Sequence, residues 1–220
     1  MRITLQDIKN NPIFTTYIQR ADEYLTQVGY TEHSFVHVGK VANEAARILR
    51  QTGHDERTAE LAAIAGYLHD IGNIVNRKGH EQSGALMVFT LLAQMGADPD
   101  DIATIVTAIG NHDEGSAMPV SDISAALILA DKSDVRRSRV RNQETIAFDI
   151  HDRVNYAVVD TRMSVLAEEK EIQLRLTIDS AVSNISEYFE IFLTRMLLCR
   201  RAAEKLGHSF ALFINGQKMM

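Results

Sequence analysis

The sequence predicts a mainly α protein, with a helical bundle over residues 1–145 and a small α+β unit of ββαβ order over residues 146–220. From residue 12 to about residue 140, apolar residues recur three and four positions apart, which is the period of amphipathic helices. After about residue 145, apolar and polar residues alternate, which is typical of strands. A chain of 220 residues is long enough to give such a bundle a proper core.

The third predicted helix has an unusual end. Asp55, shortly after Gly53, is its predicted N-cap, and the stretch L-A-A-I-A-G-Y-L is apolar on nearly every side, as expected of a buried central helix. Gly72 is the predicted stop. The helix therefore finishes in G-Y-L-H-D-I-G-N, residues 66–73, where a histidine and an aspartate stand side by side at the end of an apolar run.

Two more helices are predicted at about residues 98–110 and 122–138. Each follows an N-cap signal, which is an aspartate before a proline in the first case and a serine shortly after a proline in the second. The loop between them reads N-H-D-E-G-S-A-M-P-V, so a second His-Asp pair directly follows a helix.

The C-terminal unit is predicted from its alternating pattern. Residues 171–178, E-I-Q-L-R-L-T-I, form a strand, residues 154–166 its hairpin partner, and A-E-E-K the turn. A helix over about 183–206 and a third strand, S-F-A-L-F-I, complete the unit. Because three strands make too small a sheet to bury both faces, we expect the unit to dock on the bundle or on a second copy, which favours a homodimer.

Composition and charge limit the functional classes. A hydrophobic fraction of 45% is that of an ordinary globular protein, and a formal charge of -6 argues against a surface built to bind long nucleic acids. Small anionic substrates remain possible. No signal peptide and no apolar run of about 20 residues is evident, and Cys199 is the single cysteine. We therefore expect a cytoplasmic protein without membrane contact.

His69 and Asp70 pose an electrostatic problem at the end of their helix. The C-terminus of a helix carries partial negative charge, so a carboxylate there needs a nearby cation. A lysine or an arginine would serve. A metal ion would account for the histidine as well, because neutral imidazole and carboxylate are both metal ligands.

Further potential ligands lie at helix ends or interrupt apolar faces: His33, His37, His80, His112 and Asp131. Taken in order, H37…H69-D70…H80…H112…D131 resembles the HD superfamily of metal-dependent phosphohydrolases over about residues 30–135. The resemblance implies an all-helical fold that gathers its ligands from several helices. It implies one metal held by His37, His69, Asp70 and Asp131, and a second held by His80 and His112, with Asp70 bridging the pair.

His37 is preferred over His33 as the first ligand, because relatives carry a V-A-type pair four and five residues later, as Val41 and Ala42 do here. His33, four residues before His37, is expected on the same helical face. It is either a phosphate contact or donor to a ligand, or an exposed histidine at a helix start. We name Asp70 and His33 as candidate catalytic residues.

Lys132 and the following R-R-S-R-V-R segment, which begins at Arg136, are candidates for substrate binding, since arginine suits phosphate. The alternative is a solvated basic helix end. Asp134 is expected to support Lys132 or Arg137. Relatives that cleave cyclic dinucleotides have lysine where this chain has Asn73, and paired histidines with a G-Y-P segment that are absent here. Asn73 is therefore expected to make a neutral hydrogen bond to substrate.

The predicted cofactors are two divalent transition-metal ions, because a mixed nitrogen and oxygen set suits Mn, Fe, Ni, Co or Zn. A water bridging two such ions ionises near neutral pH and attacks phosphorus in line. The predicted function is thus hydrolysis of a phosphate ester in a nucleotide or another small phosphorylated metabolite. Two alternatives remain: a di-iron oxygenase of the HD type, and a non-catalytic nucleotide-binding regulatory module.

Overall fold

The structure is a computed structural model that describes residues 1–115, 117–141, 144 and 146–220. The helices of the predicted bundle are α1 (Leu5–Asn10), α2 (Pro12–Gln27), α3 (Phe35–Gln51), α4 (Glu56–Leu68), α5 (His80–Gln94), α6 (Pro99–Gly110) and α7 (Asp122–Ser133). Short 3-10 helices follow α4 at Ile71–Ile74 and α7 at Arg137–Arg139. The fold class predicted from the sequence is confirmed.

Helix α4 forms the centre of the bundle. Asp55 caps it by accepting hydrogen bonds from the backbone of Arg57 and Thr58, as predicted. Its residues from Leu61 to Leu68 are all buried. At Gly66 the helix meets α3 so closely that an added Cβ would lie 2.9 Å from the Cα of Ala42, so the missing side chain lets the two helices touch.

Gly72 does not end α4, which finishes at Leu68. It lies in the 3-10 helix, where an added Cβ would come within 2.0 Å of the carbonyl oxygen of His80 and 2.5 Å of the nitrogen of Gly84. The glycine is therefore needed for close packing against α5 rather than for a helix stop. This contact fixes the first turn of α5 relative to the end of α4.

Helix α7 is shorter than the predicted 122–138. Ser121 caps its start as predicted, but the helix ends at Ser133, and Asp134 has left helical geometry with φ -80° and ψ 65°. The carboxylate of Asp134 is held by the ring of His37, with 2.8 Å between Oδ2 and Nδ1. A tertiary hydrogen bond thus ends the helix where sequence periodicity would extend it.

The C-terminal part consists of α8 (Ile150–Ala157), β1 (Val158–Leu166), β2 (Glu171–Ile178), α9 (Ile185–Lys205), β3 (Ser209–Ile214) and β4 (Gln217–Lys218). The strands lie in the order β1-β2-β3-β4, with β2 and β3 parallel and the neighbouring pairs antiparallel. A parallel pair requires a crossover, which α9 supplies. The predicted first strand is partly wrong: residues 154–157 are helical, because Asp149 caps α8.

The core runs without interruption from the bundle into the C-terminal part. Buried residues of α4 and α7 belong to the same hydrophobic cluster as those of α9 and the sheet, and α9 packs on α7. The predicted unit boundary falls beside Thr145, which lies outside the described residues. Among the described residues, no helix has the length and apolar character needed to cross a bilayer.

Candidate metal centre and substrate cavity

The fold brings His37, His69, Asp70 and Asp131 together in what we call the first cluster. The Nε2 atoms of His37 and His69 lie 3.3 Å apart, and Oδ2 of Asp70 is 3.5 Å and 3.1 Å from them. Oδ1 of Asp131 is 3.4 Å and 3.5 Å from the same two nitrogens. Helix α3, the turn that follows α4 and helix α7 therefore bring four donor atoms together.

Asp70, His80 and His112 form the second cluster. The other carboxylate oxygen of Asp70, Oδ1, lies 3.3 Å from Nε2 of His80, and this nitrogen lies 3.2 Å from Nε2 of His112. Asp70 thus turns one oxygen to each cluster. All four histidines are at least 99% buried, so solvent does not satisfy these atoms.

Backbone and carboxylate oxygens fix the orientation of every ring in the two clusters. The Nδ1 atoms of His37, His69, His80 and His112 face Oδ2 of Asp134 and the carbonyl oxygens of Gly66, Arg77 and Ile109, at 2.8, 2.8, 3.0 and 2.6 Å. Because a carbonyl oxygen only accepts, each Nδ1 must carry the proton. In the neutral form of each ring, Nε2 therefore directs a lone pair into the site, which is the tautomer that a metal requires.

The donor set fits divalent transition-metal ions. Atoms that sit about 2.0–2.2 Å from a common ion are about 2.8–3.6 Å apart in tetrahedral or octahedral arrangements. Distances within the first cluster run from 3.1 to 3.5 Å, and those of the second are 3.2 and 3.3 Å. Imidazole nitrogens and carboxylate oxygens converge in each cluster, an arrangement that a bound proton or a metal ion stabilises and that could hold a metal.

Electrostatics differ between the clusters. Burial alone would lower the pKa of His69, but Asp70 and Asp131 raise it to about 10. Burial lowers the pKa of His112 to about 3, with help from the positive charge of His69 and Lys132. The two carboxylates have pKa values well below their usual range despite burial, because imidazoles and Lys132 surround them. The first cluster therefore attracts positive charge strongly.

A cavity of about 400 Å³ opens above both clusters. Its wall on the bundle side includes Tyr30, His33, Arg77, Lys132 and Arg139, and its wall on the C-terminal side includes Asp149, His151, Asn155, Phe192 and Arg195. The C-terminal part of the chain therefore contributes to the cavity. The volume is that of a site for a small organic ligand.

Besides Asp70, two of the predicted substrate and catalytic residues line this cavity. Lys132 is buried at 5% exposure rather than solvated, and its Nζ lies 2.7 Å from Oδ2 of Asp131. His33 precedes α3, whose N-cap is Ser34, so it does not share a helical face with His37 as expected. Its ring still meets the ring of His37 edge to face at 5.4 Å, which places it beside the first cluster.

Asn73 and Arg136 lie elsewhere. Nδ2 of Asn73 donates to Oδ1 of Asp70 at 2.8 Å, so this buried amide orients the shared carboxylate. Arg136 is not among the residues described around the cavity, and its guanidinium is paired with Glu32 and with Asp134 at 2.5 and 2.9 Å. The predicted substrate roles of both therefore have no direct geometric support.

Sequence reasoning missed two roles. Asp134 holds the ring of His37 instead of supporting Lys132 or Arg137, and its place outside a helix had no signal in the sequence. Arg195 on α9 reaches the cavity and pairs with Glu114. Its position three residues after Phe192, at the edge of the apolar stripe, was the available hint.

A helical frame with a buried imidazole and carboxylate cluster defines a class of metal-binding proteins. The model of the HD domain family matches residues 33–155, more than half of the chain, and this protein belongs to that family. Its members are in general metal-dependent hydrolases.

The chain is also similar to a protein whose role is not established. The uncharacterized protein MJ1020 of Methanocaldococcus jannaschii is 25% identical, over 84% of this chain and 77% of its own length. No solved structure was found to match the chain. The similarity therefore supports a shared fold along most of both proteins and supplies no activity.

Proposed function

We propose that the protein is a metal-dependent phosphohydrolase that cleaves a phosphate ester of a nucleotide or another small phosphorylated metabolite. The observation that carries the proposal is the split carboxylate of Asp70, whose two oxygens face two separate groups of imidazole lone pairs. Membership of the HD domain family supports the same reaction class.

Different residues of the chain would hold the two metal ions and orient their ligands. The first cluster would hold one divalent ion and the second cluster another, with Asp70 shared between them. Such ions supply the charge that activates a water and stabilises phosphoryl oxygens. Asp134 keeps His37 in the ligand tautomer, and Asn73 holds Asp70 in place.

The cavity supports a small phosphorylated substrate. Lys132 stands at its base beside Asp131, where it would bind the phosphoryl group, and the buried guanidinium of Arg139 adds positive charge. His33 is neutral at pH 7, because burial and nearby Arg139 hold its pKa well below its usual value. Nδ1 of His33 donates to the carbonyl oxygen of Thr31 at 2.6 Å, so Nε2 of the neutral ring would accept a hydrogen bond from a water or a hydroxyl group at the site.

A phosphate-release screen tests the proposal. Protein reconstituted with Mn²⁺ or Ni²⁺ under nitrogen is assayed against nucleotides and sugar phosphates, together with Asp131→Asn. We expect release that falls more than about a hundredfold in Asp131→Asn, since changes behind a ligand alone cost up to about that much. The matched control is Asp122→Asn on the same helix, whose partner is His54 at 3.2 Å on the surface.

Other outcomes separate the alternatives. Oxygen consumption by an iron-loaded protein that releases no phosphate would favour the di-iron oxygenase. Nucleotide binding without turnover under any metal would favour the regulatory module. We also propose a cytoplasmic homodimer, and light scattering during size-exclusion chromatography tests the dimer.

A further inference from the structure

Glu114 joins two cations at the wall of the cavity. It lies in the loop between α6 and α7, and its Oε1 is 3.5 Å from Nζ of Lys132. The same oxygen makes an ion pair with Nε of Arg195 on α9. One carboxylate oxygen is thus shared by two positive side chains that come from different parts of the fold.

Neither cation is a solvated surface group. Lys132 is almost fully buried, and its Nζ lies within ion-pair distance of Asp131 and Glu114. Arg195 packs its guanidinium over the ring of Phe192 at 4.5 Å. Its buried Nε–H makes an ion pair with Glu114 but no hydrogen bond of good geometry to any residue that the structure describes.

Lys132 and Arg195 lie next to the candidate metal centre. Nζ of Lys132 is 2.7 Å from Oδ2 of Asp131, whose other oxygen belongs to the first cluster. An anion that replaced the carboxylate of Glu114 would therefore contact Lys132 and Arg195 and still lie next to the clusters. A phosphoryl group offers several charged oxygens to the arginine fork, where a carboxylate here offers one.

We propose that Lys132 and Arg195 form an anion subsite for a phosphoryl group, and that Glu114 occupies this subsite when no ligand is bound. The assignment rests on the proposed function for its place in catalysis, but the binding site itself does not require turnover. It makes the C-terminal part of the chain a component of the site through Arg195. Glu114 acts as an internal competitor that a more highly charged ligand displaces.

Binding of inorganic phosphate to the Mn²⁺-loaded protein, measured by isothermal titration calorimetry, tests the subsite. Arg195→Gln should weaken phosphate about tenfold or more, because it removes a charge-assisted contact. Glu114→Gln should tighten phosphate by up to about tenfold, because a competitor lowers the apparent affinity by the fraction of sites that it fills. The gain from Glu114→Gln should disappear in the double variant with Arg195→Gln.

Matched controls carry the same substitutions away from the cavity. Arg50→Gln breaks an ion pair with Glu56 at 2.9 Å, and Glu44→Gln breaks one with Arg47 at 2.5 Å; both should bind phosphate as the unaltered protein does. A gain of phosphate affinity in Glu114→Gln cannot come from misfolding. Arg195→Lys keeps the positive charge and removes the planar guanidinium group.

The results separate the subsite from the reaction. Unchanged phosphate binding in Arg195→Gln, or binding in Glu114→Gln that is no tighter, would make the three residues a structural ion bridge between α7 and α9 and overturn the subsite. The subsite stands if the expected shifts appear in a protein that hydrolyses no ester, and in that case the proposed function fails alone. If the protein hydrolyses an ester and neither variant changes phosphate binding, the subsite is overturned and the proposed function stands.

Discussion

His69 and His112 lie in one buried centre, with ring centroids 5.0 Å apart, yet their pKa values move in opposite directions. Burial opposes a charge on both rings, but Asp70 and Asp131 raise the pKa of His69 to about 10. Burial and the neighbouring positive groups lower the pKa of His112 to about 3. The number and position of carboxylates, rather than depth in the fold, decide which ring attracts positive charge.

The same difference separates the two clusters as cation sites. The first cluster contains two carboxylates and has Asp134 behind His37. The second shares a single carboxylate, Asp70, and has Arg77 3.6 Å from that carboxylate. We therefore expect an ion in the first cluster to be held more tightly, and an ion in the second to exchange first.

Gly72→Ala should produce the largest effect, because it breaks the packing that sets the second cluster against the first. The new Cβ would meet the backbone of α5 at 2.0 Å, so the protein should lose about 3 kcal/mol or more of unfolding free energy. Urea denaturation measures this loss. The control Gly39→Ala, inside α3 with open space around it, should be neutral or gain up to about 1 kcal/mol. Equal stability of Gly72→Ala and the unaltered protein would refute the packing argument.

Asp134→Asn should weaken the ion of the first cluster and spare the second. The substitution removes the charge that Nδ1 of His37 donates to at 2.8 Å, and changes of this kind cost about 10–100-fold in metal affinity. Competition with a chromogenic chelator gives the two affinities separately. Equal weakening of both ions, or of neither, would remove the distinction between the clusters.

The release of protons on metal binding should distinguish the two clusters, and it is the smallest of the expected effects. At pH 7 the metal-free His69 is protonated, because its pKa lies above the pH, and a ligand must be neutral. An ion entering the first cluster should displace about one proton from it, whereas His112 is already neutral and releases none. Calorimetry in buffers of different ionisation enthalpy counts these protons, and equal release from the two steps would contradict the assignment.

Local sequence patterns predicted much of this arrangement. The order of the histidines and aspartates, the apolar α4 and the strand at residues 171–178 follow from chemistry and periodicity within short windows. The close approach at Gly72 was interpreted as a helix stop, because a glycine in a sequence does not show which backbone lies against it.

Long-range contacts account for what the sequence left out. Asp134 lies outside α7 because its carboxylate accepts a hydrogen bond from Nδ1 of His37, which lies 97 residues earlier in the chain. Arg195 reaches Glu114 only once α9 is packed on α7. The β-branched content of residues 154–157 predicts a strand, whereas Asp149 caps a helix that includes these residues.

The metal content of three proteins tests the central claim most directly. The unaltered chain, Asp70→Ala and His112→Ala are purified under nitrogen, reconstituted with Mn²⁺ and measured by mass spectrometry, with circular dichroism as the check on folding. A shared Asp70 predicts about two ions per unaltered chain, loss of both in Asp70→Ala, and about one ion retained in His112→Ala. Folded Asp70→Ala that keeps its ions, or an unaltered chain that binds none, would contradict the account.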